Sequence, residues 1–80
     1  IGSYDISVSL GIPGQVSDPR VLKVLEKCVQ MVRKMGKIAG CLFHNPSDLK
    51  LFKKMGIQFL EYKVDTSILF DGYQAVKKIK

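Results

Sequence analysis

One unit occurs twice along this chain and leaves few folds open. An Asx-Pro pair precedes a helical apolar pattern, which ends in Lys-Met-Gly and passes into a short apolar run. Asp18-Pro19 opens the first copy, with Asp at the N-cap and Pro at the first helical position. Val21, Val24, Leu25, Cys28, Val32 and Met35 then recur at helical spacing, and Gly36 follows as a stop. Residues 38–43 form a nearly continuous apolar run, which suits a parallel strand buried on both faces. In the second copy Asn45 is the expected N-cap ahead of Pro46. Leu49, Leu51, Phe52 and Met55 are expected to point inward, and Gly56 is the stop. Residues 57–64 read as the next strand. Asp65-Thr66 caps a last helix over residues 66–80, with Ile68, Leu69, Tyr73, Val76 and Ile79 along one side. The repeat of Lys-Met-Gly meets the same demand at two αβ junctions and does not imply duplication.

Helices alternating with strands define an α/β fold with right-handed crossovers. Two strands, plus the end of a third at Ile1, leave a parallel sheet with bare edges. A self-sufficient (β/α)8 barrel takes about 250 residues, against 80 here. Residues 1–80 are therefore expected to be one segment, the C-terminal third of a larger barrel. An opening Ile in place of Met fits a missing upstream portion.

Composition narrows the function classes. Hydrophobic residues are 46% and charged residues 25% of the chain, an ordinary balance for a soluble globular protein. No run nears the roughly 18 apolar residues of a membrane span, and no charged-then-apolar leader opens the sequence. A soluble, cytoplasmic protein is expected. Cys28 and Cys41 lack the closely spaced partners of a metal cluster or disulfide framework, so both read as buried small hydrophobes. The net charge of +6 raises a nucleic-acid hypothesis. Its lysines fall mainly on the polar sides or C-terminal ends of helices, without interleaved aromatics, and Arg occurs only at positions 20 and 33. A solvated helix face is the simpler reading. A small basic nucleic-acid-binding module stays as the alternative, and a self-associating barrel fragment as a third.

Chemistry in parallel α/β folds gathers at the C-terminal ends of strands. Three segments answer to that here: Gly2-Ser3-Tyr4-Asp5, His44-Asn45 and Asp65-Thr66. Asp65 and Asn45 read as helix caps, and His44, the one histidine, as a loop residue without a second ligand at metal spacing. Asp5 could cap a short helix beginning at Ile6 or ligate a metal, and spacing leaves both open. Gly11-Ile12-Pro13-Gly14-Gln15 lacks the Gly-Lys-Ser/Thr of a phosphate loop. A long mobile loop at a barrel mouth is expected there.

The run Gly2-Ser3-Tyr4-Asp5-Ile6-Ser7-Val8-Ser9-Leu10-Gly11 resembles the Gly-Pro-x-Asp-Leu-Ser-x-Ser-x-Gly signature of the HpcH/HpaI aldolase/citrate lyase family. Agreement continues through Pro19, Gly36-Lys37, Gly40, Gly56 and Asp65. The branch acting on 4-hydroxy-2-oxoheptanedioate, which serves aromatic-compound catabolism, looks closest. Ser3 stands where Pro is usual and Tyr4 where a small residue is common. The resemblance implies a pyruvate/phosphoenolpyruvate-type barrel, entered at the end of strand six and followed through helix eight. It implies Asp5 as ligand to a divalent cation (Mg²⁺, Mn²⁺ or Co²⁺), and Ser3, Tyr4 and Asp5 as the substrate-binding turn. Pyruvate, or another 2-oxoacid, would form an enolate and add to an aldehyde, or the reverse. It also implies a homo-oligomer assembled through the last helix. The family's glutamate ligand, arginine and histidine base match nothing here, so no catalytic residue is assigned in this segment. Glu26 and Glu61 do not replace the glutamate, and the chain alone is expected to be inactive.

Overall fold

The computed structural model describes residues 1–79. In chain order they form α1 (Ser3–Ser9), α2 (Pro19–Lys34), β1 (Gly40–Phe43), α3 (Asp48–Met55), β2 (Phe59–Tyr62) and α4 (Asp65–Lys77). The α/β alternation is as the sequence predicts. None of the described helices is long and apolar enough to cross a membrane.

At the start of α2 the Asp18 carboxylate accepts from the Arg20 backbone N–H at 2.9 Å, a cap that satisfies an otherwise orphaned donor. The Arg20 guanidinium bonds the same carboxylate and holds it below its usual pKa. Down the helix Val21, Leu25 and Val29 are fully buried, an i, i+4 line of which Leu25 and Val29 join the core shared with β1. The buried stripe is narrower than the predicted one. Met35 lies past the last turn and is 68% exposed, while Cys28 is only half-buried. Val29, absent from the predicted stripe, takes the central place.

β1 and β2 run parallel, pairing Gly40 with Phe59, Cys41 with Leu60, Leu42 with Glu61 and Phe43 with Tyr62. Cys41 and Phe43 point under the helices and join Leu25, Val29, Ala39, Phe52 and Ile57 in one core. Side chains alternate along a strand, so Gly40 and Leu42 face the other way and are only half-buried. Burial on both faces, expected for these strands, is thus met on one. Both strands are also shorter than predicted: Ile38 is 72% exposed and precedes the sheet.

Ala39 and Phe43 carbonyls accept from β2-side amides, so the intervening Gly40 carbonyl points to the opposite edge. There the Ile1 amino group donates to it at 2.8 Å. Ile1 thus borders the free edge of β1 through this one bond, and the sheet of the described residues has two strands.

Two helix starts differ from expectation. α3 takes Ser47, not Asn45, at its N-cap position. Asn45 closes a preceding turn with its backbone carbonyl, which accepts from Asp48 N–H at 2.9 Å. α4 takes Val64 at the N-cap, and Asp65 is its first residue, with its carboxylate accepting from Thr66 N–H at 2.8 Å. Assignment of a helix end is good to about one residue, so the Asp65 difference is small. Leu51, predicted inward, is exposed.

Gly56 ends α3 with φ +102°, a region that residues with a Cβ rarely adopt. Its carbonyl accepts from Arg33 Nη1 at 2.9 Å, which ties α3 to the end of α2. An added Cβ would lie 2.9 Å from that same nitrogen. Gly56→Ala should thus cost about 1–3 kcal/mol, seen as a lowered urea midpoint with an unchanged slope.

No residue of α4 is buried. Ile68, Leu69, Phe70, Tyr73 and Val76 are each at least half exposed. An ion pair from Lys63 to Asp71 joins the helix to the end of β2. Lys63 itself has φ +54°, a turn that sends the chain away from the sheet. The result is elongated, 51 × 27 × 18 Å, with a radius of gyration of 14.3 Å where about 12 Å is expected of a compact chain this long. Helix α4 stops at Lys77; Ile79 follows it, and Lys80 lies outside the described residues.

Candidate active-site rim

Because β1 and β2 are parallel and Ile1 lies along β1, the chain leaves all three lines at one end. Gly2-Ser3-Tyr4-Asp5 follows Ile1, His44-Asn45 follows β1, and Lys63 to Asp65 follows β2. The predicted rim segments therefore share an edge of the fold.

Asp5 is not the cap of a helix starting at Ile6. α1 begins at Ser3 with Gly2 in the N-cap position, and Asp5 lies in its first turn. A carboxylate there is favoured by the helix dipole, and the side chain is exposed. A Cβ at position 2 would meet the Asp5 carboxylate, so a larger residue there would turn that exposed side chain to another rotamer. The first helical bond runs from Ile6 N–H to the Gly2 carbonyl at 3.1 Å, so Tyr4 and Asp5 N–H head the helix without intrahelical acceptors. Ser3 is buried and interacts with Cys41, whose thiol burial pushes up in pKa while Ser3 partly opposes the shift. Any ligand contact at Ser3 must therefore use its backbone. Tyr4 is exposed.

The segment after α1, where a mobile loop is expected, is folded into hydrogen-bonded turns. Ser7, fully buried, donates to the Tyr4 carbonyl at 2.6 Å and accepts from Gly14 N–H at 3.0 Å. Ile12 N–H bonds the Ser7 carbonyl at 2.9 Å, and Gln15 N–H bonds that of Ile12 at 3.1 Å. Positive φ at Gly11 and Gly14 (+76° and +81°) makes these turns possible. Sequence reading missed Ser7. Its signal was a serine one helical turn from the buried Ser3, on a helix that must bury one side.

His44 is half-buried and Asn45 exposed. Among the described residues no three of His, Cys, Asp or Glu come together as a metal centre. Asp5, His44 and Asp65 share an edge without forming a cluster. Asp5 supplies one hard oxygen donor, and one carboxylate does not make a catalytic cation site. The described residues therefore do not fit a metal by themselves.

A parallel α/β segment with its polar turns at the strand ends is the class that fold and rim define. No family model matches the chain. It is 33% identical over 76 residues to the 4-hydroxy-2-oxo-heptane-1,7-dioate aldolase of Klebsiella pneumoniae, covering 95% of this chain and 29% of that protein. It is 35% identical over 68 residues to the 2-keto-3-deoxy-L-rhamnonate aldolase of Salmonella paratyphi B, covering 85% and 26%. Its fold matches the crystal structure of an HpcH/HpaI aldolase from Desulfitobacterium hafniense with a TM-score of 0.79 and 25% identity, over 99% of this chain and 32% of that one. Over the part that it spans, this chain belongs to the HpcH/HpaI aldolase family. It spans less than a third of the length of the curated relatives it matches.

Proposed function

We propose that this chain is the C-terminal third of a soluble, cytoplasmic class II aldolase that cleaves or forms 4-hydroxy-2-oxo acids through a pyruvate enolate. The observation that carries the reading is the similarity to two aldolases across 85–95% of the chain. The exposed Asp5 at the head of α1 supports it. In this reading residues 1–80 run from the end of barrel strand six through helix eight, and the open edges and half-buried inner face of the sheet are met by the rest of the barrel.

Asp5 would be one ligand of a divalent cation, Mg²⁺, Mn²⁺ or Co²⁺, whose remaining ligands would come from outside these residues. The chemistry such a cation would supply there is Lewis-acid polarisation of the oxoacid. The chain's own part is positional. Backbone N–H groups of Tyr4 and Asp5 offer donors to a pyruvate carboxylate, the backbone of Ser3 borders them, and the Ser7 clasp keeps this turn in place. No proton-transfer role falls to a residue of this segment.

The last helix is the oligomer contact in the same reading. Its apolar side is uncovered, and the body carries an open apolar recess of about 350 Å³ lined by Phe43, Pro46, Leu49 and Tyr62. The test compares two proteins supplied with Mn²⁺. The full-length protein should exchange pyruvate methyl protons and cleave 4-hydroxy-2-oxo acids, and the eighty-residue chain should do neither. Turnover by the short chain would sink the claim that the site is incomplete. Silence from both would sink the aldolase reading.

A further inference from the structure

Glu61, set aside as merely part of a strand, lies on the inner face of the sheet. It pairs with Leu42 in the parallel register, and Phe59 pairs with Gly40. These four residues share the face turned away from the helix-covered core. With Ile1 and Cys41 they line a recess of about 300 Å³. Among the described residues Glu61 is the one acidic residue that lines the recess. It is exposed and makes no ion pair among the described residues.

Its position relative to the substrate turn follows from strand geometry. Ile1 borders the same recess, and Gly2 to Asp5 continue directly from it. Adjacent strands lie about 4.8 Å apart, so β2 is roughly 10 Å across from the line of Ile1. Glu61 is two residues further along β2 than Phe59, roughly 7 Å towards the rim. A molecule with its oxoacid end at Tyr4 and Asp5 would extend its other end across β1 towards Glu61.

We propose that Glu61 selects the aldehyde half of the substrate, favouring an uncharged hydroxylated chain and rejecting one that ends in a carboxylate. This inference rests on the aldolase reading above. In the cleavage, the C3–C4 bond breaks, and its electron pair stays on C3 as the enolate, which then takes a proton. The C4 hydroxyl gives up its proton and becomes the aldehyde carbonyl. Whatever lies beyond C4 leaves with that aldehyde. A carboxylate side chain accepts hydrogen bonds from hydroxyls and repels a second carboxylate placed against it. Repulsion of the wrong partner is as effective a source of selectivity as attraction of the right one.

The test uses the full-length protein and two substrates. 4-Hydroxy-2-oxoheptane-1,7-dioate releases an aldehyde bearing a carboxylate, whereas 2-keto-3-deoxy-L-rhamnonate releases a neutral hydroxylated one. Wild type should favour the second in kcat/KM by about tenfold or more, the scale of one like-charge contact. Glu61→Gln should move the two in opposite directions, with KM for the dicarboxylate falling and KM for the rhamnonate rising. Glu61→Lys should carry the preference further towards the dicarboxylate. A loss of folding would lower both rates together and cannot produce a crossing. Equal preferences in all three proteins, or a parallel loss in both variants, would overturn the role of Glu61 while wild-type pyruvate proton exchange still upheld the aldolase. Absence of that exchange would remove both.

Discussion

Leu25→Ala should destabilise the chain by about 2–5 kcal/mol, the range for truncating a buried leucine to a methyl group. Leu25 is fully buried at the middle of α2 and belongs to the single core that joins α2, α3 and both strands. Few side chains share its load, because the fully buried apolar residues of the helices are Val21, Leu25 and Val29. A domain of this size holds roughly 4–12 kcal/mol in total, so one truncation would remove a large part of it. Urea unfolding followed by far-UV circular dichroism reads the change. Met35→Ala, at an exposed position, is the control and should stay within about 0.5 kcal/mol of wild type. Equal effects of the two would mean that the core does not lie where α2 meets the sheet.

The second large effect is on activity. Asp5→Asn in the full-length protein should lower kcat/KM for aldol cleavage on the order of a hundredfold or more, since removing even a group that only orients a metal ligand costs about 10–100-fold. The substitution keeps size and shape and removes the charge that a hard cation requires. It also removes a favourable charge from the first turn of α1, worth about 0.3–1 kcal/mol. The melting temperature should therefore fall only slightly while activity collapses. Affinity for Mn²⁺, read by titration, should fall with it. Unchanged activity beside a small loss of stability would make Asp5 a helix-dipole residue and nothing more.

How far the sequence could be read depended on whether the deciding interaction was local. Asp18-Pro19, Gly36 and Gly56 act within a turn of their own positions, and each lies where the spacing predicts. Choices between near-equivalent positions were harder. Val29 outranks Val24 and Met35 because of the direction from which the sheet approaches α2, which no single helix pattern contains. Asn45-Pro46 has the composition of a helix start, yet the Asn45 carbonyl closes a turn and moves the start to Asp48. The rim was legible because strand ends follow from the α/β order. The state of Asp5 was not, since it needed the start of α1 at Ser3 rather than Ile6. Ser7 entered only as part of a signature and Glu61 only as a rejected metal ligand, for a related reason. Ser7 matters through Gly14, and Glu61 matters through the face that its pairing with Leu42 gives it.

The isolation of α4 bears on how the molecule comes apart. Cooperativity in unfolding comes from shared burial, and this helix shares almost none with the body. A helix of thirteen residues is marginal in water by itself. In the eighty-residue chain by itself α4 should therefore behave as a separate foldon, opening its amides to exchange at a small fraction of the free energy that guards α2 and the strands. Heat would take its helical signal away gradually, ahead of the sharp loss of the core. A single melting temperature would describe the body and leave the last helix out.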